Sequence, residues 1–165
     1  MTGWDTMPAL TLHQPWAQLV AIGEKRVETR SWKTSYRGLL AIHAGATIPK
    51  YAEELMRERH GFAAYARAHL HIHGFEWGEL PLGAIVAVAQ LVDCIPTEVY
   101  FEKIGDDRKL LLEHEYGNFD EGRYAWILNG ADQLVEPVPA RGKHQLWQLS
   151  DAERRAVHEN FPFPF

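Results

Sequence analysis

The sequence predicts an α+β domain: a small closed or nearly closed barrel of about six strands with flanking helices. Three observations predict it. Short apolar runs rich in Val, Ile, Leu, Tyr and Trp recur along the chain, separated by Gly, Pro and Asn turn signals. Helical periodicity follows the first run and returns after the third. The chain has 165 residues, the size of one ordinary domain, with no internal repeat and no linker long enough to divide it.

The elements follow in order. Ala9–Leu12 is a short strand, and Pro15 opens a helix whose Trp16, Leu19 and Val20 share a face and which stops at Gly23. Glu24–Trp32 reads as a strand, with Val27, Thr29 and Trp32 as good strand residues. Tyr36-Arg37-Gly38 turns into the strand Leu39–His43. One or two helices run from Pro49 through Leu70 and close at Gly74. Leu82–Cys94 is a buried strand, and the acidic stretch Glu98–Gly122 is a helical or loop excursion. Tyr124–Leu128 is a strand that Asn129-Gly130 should turn. Leu134–Val138 and Gln145–Leu149 complete the strands, with Pro137 and Pro139 marking an edge or a bulge. Asp151–Asn160 forms a short terminal helix.

Composition narrows the function classes. Hydrophobic residues make 46% and charged residues 24% of the chain, the balance of a globular domain. The single cysteine, Cys94, excludes an intrachain disulfide and a thiolate-rich zinc site. The longest apolar run, Leu82–Val92, is too short to span a bilayer, and Met1–Ala9 lacks the features of a secretory signal. A reduced, cytoplasmic protein without a membrane partner is expected. The net charge of −5 is an average. Residues 1–50 carry six Lys and Arg against three carboxylates, a net of +3, which leaves −8 for the remainder. A nucleic-acid partner confined to one basic face is therefore compatible with the global charge.

Certain residues carry a resemblance. They are Leu10-Thr-Leu-His-Gln-Pro-Trp16, then Gly23-x-Lys25-x-x-Glu28-Thr-Arg30-Ser-Trp32, then Tyr36-Arg-Gly38 and Ile42-His43-Ala44. Later pieces are Gly83–Asp93, Tyr124-x-Trp126 and Pro137-x-Pro139-x-Arg-Gly-Lys143 before Leu146-Trp147. Together they resemble the ASCH domain (activating signal cointegrator homology) over residues 8–149, with 150–165 as a tail of the same single domain. The resemblance implies a PUA-like β-barrel with a cleft between barrel and first helix. It implies recognition of RNA, DNA or a nucleotide. The family's members differ in activity: some are accessory domains of RNA-associated coactivators, some small bacterial ones are amidohydrolases on N4-acetylcytidine, and some are nucleases.

The candidate ligand-binding residues are Gln14, Trp16, Lys25, Arg30, Trp32, Arg37, Trp126, Arg141 and Lys143. Arg and Lys would meet phosphates, and Trp16, Trp32 and Trp126 would offer stacking faces. If the protein is an enzyme, Lys25 is the base or nucleophile and Glu28 its partner. The structural alternative is a Glu28 ion pair with Arg30 or Arg26. Amidohydrolase-type members carry Thr where this chain has Glu28, and their further carboxylate has no aligned counterpart. Asp93 and Glu79 are the candidates for it. His69, His71 and His73 would share a face on a strand and so suit a metal, whereas His13 and His43 read as hydrogen-bonded structural groups near the cleft. No Gly-rich phosphate loop or zinc-protease helix occurs, so neither a cofactor nor a metal is expected. The acidic stretch Glu98–Glu121 leaves a protein-interaction adaptor as a third class.

Overall fold

The computed structural model describes residues 3–105, 107 and 113–163. Its strands are β1 (Pro8–Leu12), β2 (Val27–Arg30), β3 (Gly38–Ala44), β4 (Ala84–Pro96), β5 (Tyr124–Pro139) and β6 (Leu146–Gln148). Its helices are α1 (Trp16–Ala21), α2 (Lys50–Met56), α3 (Gly61–Ile72), α4 (Thr97–Ile104) and α5 (Asp151–Glu159). The six strands form one curled sheet, a half-barrel in the order β2-β5-β4-β3-β1-β6. The fold class is α+β, as the sequence predicts.

Period-two alternation decides what each face of the sheet meets. Leu10 and Leu12 of β1, with Leu40 and Ile42 of β3, pack on Ala17, Val20 and Ala21 of α1 and on Trp126. The alternate residues Ala9, Ala41, Ile85 and Val88 face the other way, into a cluster closed by Trp147 and by Val157 of α5. A third cluster joins α1 to α2 and α3 through Leu19, Met56, Phe62 and Leu70. Helix α1 is therefore held from both sides, which fixes where Trp16 stands.

Three sequence expectations are corrected. Asn129-Gly130 makes no hairpin. β5 runs on to Pro139 as one strand against β4, with register shifts at 85/87, 88/90 and 91/93. Gly130, at φ 55°, supplies the backbone kink that the shift needs. Pro137 and Pro139 are tolerated because this stretch is irregular and pairs only with β4, β2 being paired to residues 124–127, so both the bulge and the edge are found. The strand expected over Glu24–Trp32 shrinks to Val27–Arg30, because the N–H groups of Glu24 and Lys25 both donate back to Leu19 O at the end of α1. Of the three alternating histidines, His69 and His71 lie in the last turn of α3 and His73 is its C-cap, so a helical pitch rather than a strand's alternation spaces them. His69 meets Glu24 at 3.0 Å and His71 meets Glu76 at 2.6 Å. The acidic excursion does contain a helix, α4; its residues 106 and 108–112 lie outside the described residues.

Candidate functional site

A cleft opens where β1 and β2 end beside α1 and α2. It has two compartments. The first, about 470 Å³, is walled by Trp16, Tyr51 and Tyr116, with Glu28, Arg30, Asn118 and Arg123 as its polar lining. The second, also about 470 Å³, is lined by His43, Arg141, Gly142, Lys143 and His144. Thr11, His13 and Arg30 belong to both.

Local sequence explains the first compartment. Gln14 is fully buried; its Oε1 accepts from Gln18 N at 2.9 Å and its Nε2 donates to Pro81 O at 2.9 Å. It pins the start of α1 and so aims Trp16, whose ring lies parallel to Phe62 at 5.9 Å. Tyr51, exposed at the rim, sits 6.1 Å from Trp16 and 6.3 Å from His13. The opposite wall is the segment 113–118. Glu113 anchors it: its carboxylate accepts from Arg26 N at 2.6 Å and Val27 N at 3.3 Å. Burial pushes the Glu113 carboxyl up, while Lys25 and the two backbone N–H groups pull it down. Tyr116 follows in that wall, its ring 5.2 Å from Tyr65, and burial raises its hydroxyl far above the ordinary tyrosine value. Tyr65 is held in turn, donating to Glu24 Oε2 at 3.0 Å.

Lys25 and Glu28 do come together. Lys25 Nζ lies 3.6 Å from Glu28 Oε2 and donates to Val27 O. Glu28 Oε1 lies 3.7 Å from Arg30 Nε, so both the catalytic-pair geometry and the structural ion pair exist at once. Lys25 is only 1% exposed, however, under the backbone of Gly117, whereas Glu28 faces the compartment. Arg30 donates from Nη2 to Thr11 O at 2.6 Å, which fixes its guanidinium in the wall between the compartments.

The second compartment rests on a hydrogen-bond chain. Trp147 Nε1–H donates to Thr11 Oγ1 at 3.1 Å, and Thr11 Oγ1 meets His43 Nδ1 at 3.1 Å. His43 Nε2 meets Ala140 O at 2.9 Å. With Nε2–H donating to the carbonyl, Nδ1 accepts the Thr11 hydroxyl proton, and the ring is neutral. Burial holds its pKa below 6.5 against the opposing pull of Ala140 O. An unfolded histidine then takes up its proton first as the pH falls. This contribution to stability is full above about pH 6.5 and declines below it, by at most about 1.4 kcal/mol per pH unit, until the folded group also titrates. We expect urea midpoints to fall between pH 7.5 and 5.0 more steeply in the native protein than in His43→Gln; equal slopes would refute this.

The remaining predicted residues are dispersed. Arg141 and Lys143 line the second compartment beside Arg30, so the two basic segments meet. Arg37 does not join them. It lies at the start of β3, at the opposite end of that strand from His43, and pairs with Asp93 at 3.1 Å. Trp126 is fully buried and offers no face to a ligand; Trp32 packs edge-on against it at 4.6 Å, and the Trp32 carbonyl accepts its Nε1–H. Asp93 and Glu79 line neither compartment. The carboxylate beside Lys25 that sequence reasoning missed is Glu113. Tyr51, Tyr116, Asn118 and Arg123 were also missed, because they come from segments with no motif.

Comparison with known proteins bears on this geometry. The family model for the ASCH domain matches residues 10–131. The chain is 29% identical over 147 residues to Activating signal cointegrator 1 of Homo sapiens and, equally, to that of Mus musculus. The match covers 89% of this chain but 23% of each relative, so the chain spans about a quarter of their length. Among solved structures, the ASCH protein of Zymomonas mobilis superposes with a TM-score of 0.54 at 12% identity, covering 94% of this chain and 95% of that one. A serine-to-alanine mutant of the same Zymomonas mobilis protein gives 0.52 at 12% identity, with 92% and 93% covered. At that identity the likeness is one of fold.

Proposed function

Because the chain belongs to the ASCH domain family, we propose that its cleft binds RNA or another single-stranded nucleic acid, or a nucleotide. One observation carries this reading: Arg30 stands between a ring-walled compartment and a basic one. A base can stack beside Trp16 and Tyr51 while phosphate meets Arg30, Arg141 and Lys143. Among the described residues no helix is long and apolar enough to cross a membrane. The lone, half-buried Cys94 suits a reducing compartment, and we place the protein in the cytoplasm.

Binding should weaken steeply with salt, as phosphate contacts release counterions. Arg141→Ala and Lys143→Ala should each lower the log–log salt slope by about 1, whereas Trp16→Ala should cost about 1–3 kcal/mol at unchanged slope. Polarisation titrations with single-stranded oligonucleotides at several salt concentrations measure both. Salt-insensitive binding, or none at low salt, would refute the reading.

The Lys25–Glu28 contact favours one second reading, hydrolysis of a modified nucleoside of the N4-acylcytidine type or of RNA. Glu28 would orient water or the leaving amine, with the Lys25 ammonium 3.6 Å from its carboxylate. Incubation with acylated cytidines and RNA distinguishes the readings. Turnover lost in Glu28→Gln supports the enzyme; binding without turnover of any of them supports the binding module.

A further inference from the structure

The two compartments are equal in volume, about 470 Å³ each. A mononucleotide with its base in the ring-walled one would place only a phosphate in the other. Most of the basic compartment would then stay unfilled, although it is as large as the space given to the base. Its lining suits more than an anion. His13 and His144 present imidazole rings and Arg141 a guanidinium plane, all of which can carry a stacked base.

The junction is the informative place. Arg30 is tethered by Nη2 to Thr11 O, so its guanidinium needs little reorganisation to meet a ligand. Its Nε is buried without a hydrogen-bond partner, at 3.7 Å from Glu28 Oε1. Lys143 and Arg141 flank the same junction from the loop before β6. A phosphodiester lying there would have a nucleoside on each side.

We propose that the cleft recognises two consecutive nucleotides of a single strand, one base in the ring-walled compartment, the next nucleoside in the basic one, and the linking phosphodiester at Arg30. This rests on the nucleic-acid reading above and adds a site size to it. A base stacked beside Trp16 and Tyr51 has left its stack, so a paired duplex does not fit.

Calorimetric titration of the full chain at about 150 mM salt tests this, where exposed charges are largely screened. The probes are uridine monophosphate, the dinucleotide UpU, tetrauridylate and octauridylate, with TpT to distinguish ribose from deoxyribose; a step on either sugar supports the proposal. UpU should bind about ten-fold or more tighter than the monophosphate, since one further stacked base and one phosphodiester are engaged. Longer strands should add little beyond the statistical gain in sites. Arg141→Ala should weaken UpU by a larger factor than the monophosphate, which brings only its phosphate to that compartment, and so shrink the step. Arg30→Ala, with its fold confirmed by circular dichroism, should abolish the step. Equal binding of the monophosphate and UpU overturns the proposal and leaves the nucleotide-binding reading intact. So does a climb in equal increments through octauridylate, which would indicate an extended surface. No binding by any probe overturns both.

Discussion

Lys25→Ala should destabilise the domain by about 3–5 kcal/mol, the cost of stripping one partner from a buried ionic cluster. Lys25 is 1% exposed and touches Val27 O and Glu28, with the Glu113 carboxyl in its field. Both carboxylates would remain, one of them fully enclosed, and a void would open under Gly117. For a chain of this size that loss corresponds to about 6–20 °C in Tm. Lys25→Met fills most of the void and separates charge from volume. It should still be destabilised, and more at pH 8 than at pH 5. The sign follows from Glu113: burial already raises its pKa, and removing Lys25 takes away the largest opposing influence. The folded state then holds a proton that the unfolded state has lost, so the penalty deepens as pH rises. Adding Glu113→Gln to Lys25→Met should restore about 1 kcal/mol or more, read as coupling in a double-mutant cycle of urea midpoints. Native-like stability of Lys25→Ala at neutral pH would refute this account. It also follows that loss of activity in a Lys25 variant is no evidence for chemistry at Lys25 until folding has been measured, whereas Glu28→Gln is the cleaner substitution.

Gly142→Ala should disable the basic compartment. A Cβ on Gly142 would lie 2.7 Å from His43 Cε1, 2.8 Å from Thr11 Oγ1 and 2.9 Å from His43 Nδ1. None of these atoms can yield cheaply. His43 is buried and bonded at both nitrogens, and Thr11 Oγ1 also receives Trp147 Nε1–H. The loop carrying Arg141 and Lys143 must therefore lift from the sheet. We expect a loss of about 1–3 kcal/mol in stability, the usual cost of overpacking. We also expect oligonucleotide binding to weaken about ten-fold or more, because Arg141 and Lys143, the two residues proposed to meet phosphate, move with the loop. Gly78→Ala is the control: nothing lies within 4 Å of its Cβ position, so both quantities should stay near native values. Unchanged binding by Gly142→Ala would show that the loop does not contact the ligand.

Much of the fold is legible in local pattern, for identifiable reasons. Leu10 and Leu12 flank Thr11, and Leu40 and Ile42 flank Ala41, so one face of β1 and β3 had to be core. Gly23, at φ 81°, ends α1 where a glycine was expected to end it. The Asn129-Gly130 reading failed because β5 gains more by pairing along the length of β4 than by turning back, and the glycine serves the register shift instead. The histidine alternation failed because α3 continues through it, and a period of two has no meaning on a helix.

The site divides in the same way. Chain-local chemistry marked Trp16, Lys25, Glu28 and Arg30, since Gly23-x-Lys25-x-x-Glu28-Thr-Arg30 packs the last three within a single short stretch. It did not separate Arg30, which faces the cleft, from Arg37, which precedes β3 and pairs with Asp93 of β4 away from the cleft. Nor did it separate Trp16 from the buried Trp126.

The sequence by itself determined the α+β class, the basic bias of the first fifty residues and the residue pattern that the family model matches. Those properties reside in composition and short-range spacing. Tertiary structure alone decided that Lys25 is enclosed, that Glu113 is its buried carboxylate neighbour, and that Tyr116 and Arg123 complete the wall. It alone decided that the loop with Arg141 and Lys143 meets Arg30 across the end of β1. These are long-range contacts: Arg26 and Glu113, for one, bond across 87 positions of the chain. Contacts of that kind depend on how the sheet curls, and the curl follows from the twist and register of all six strands together.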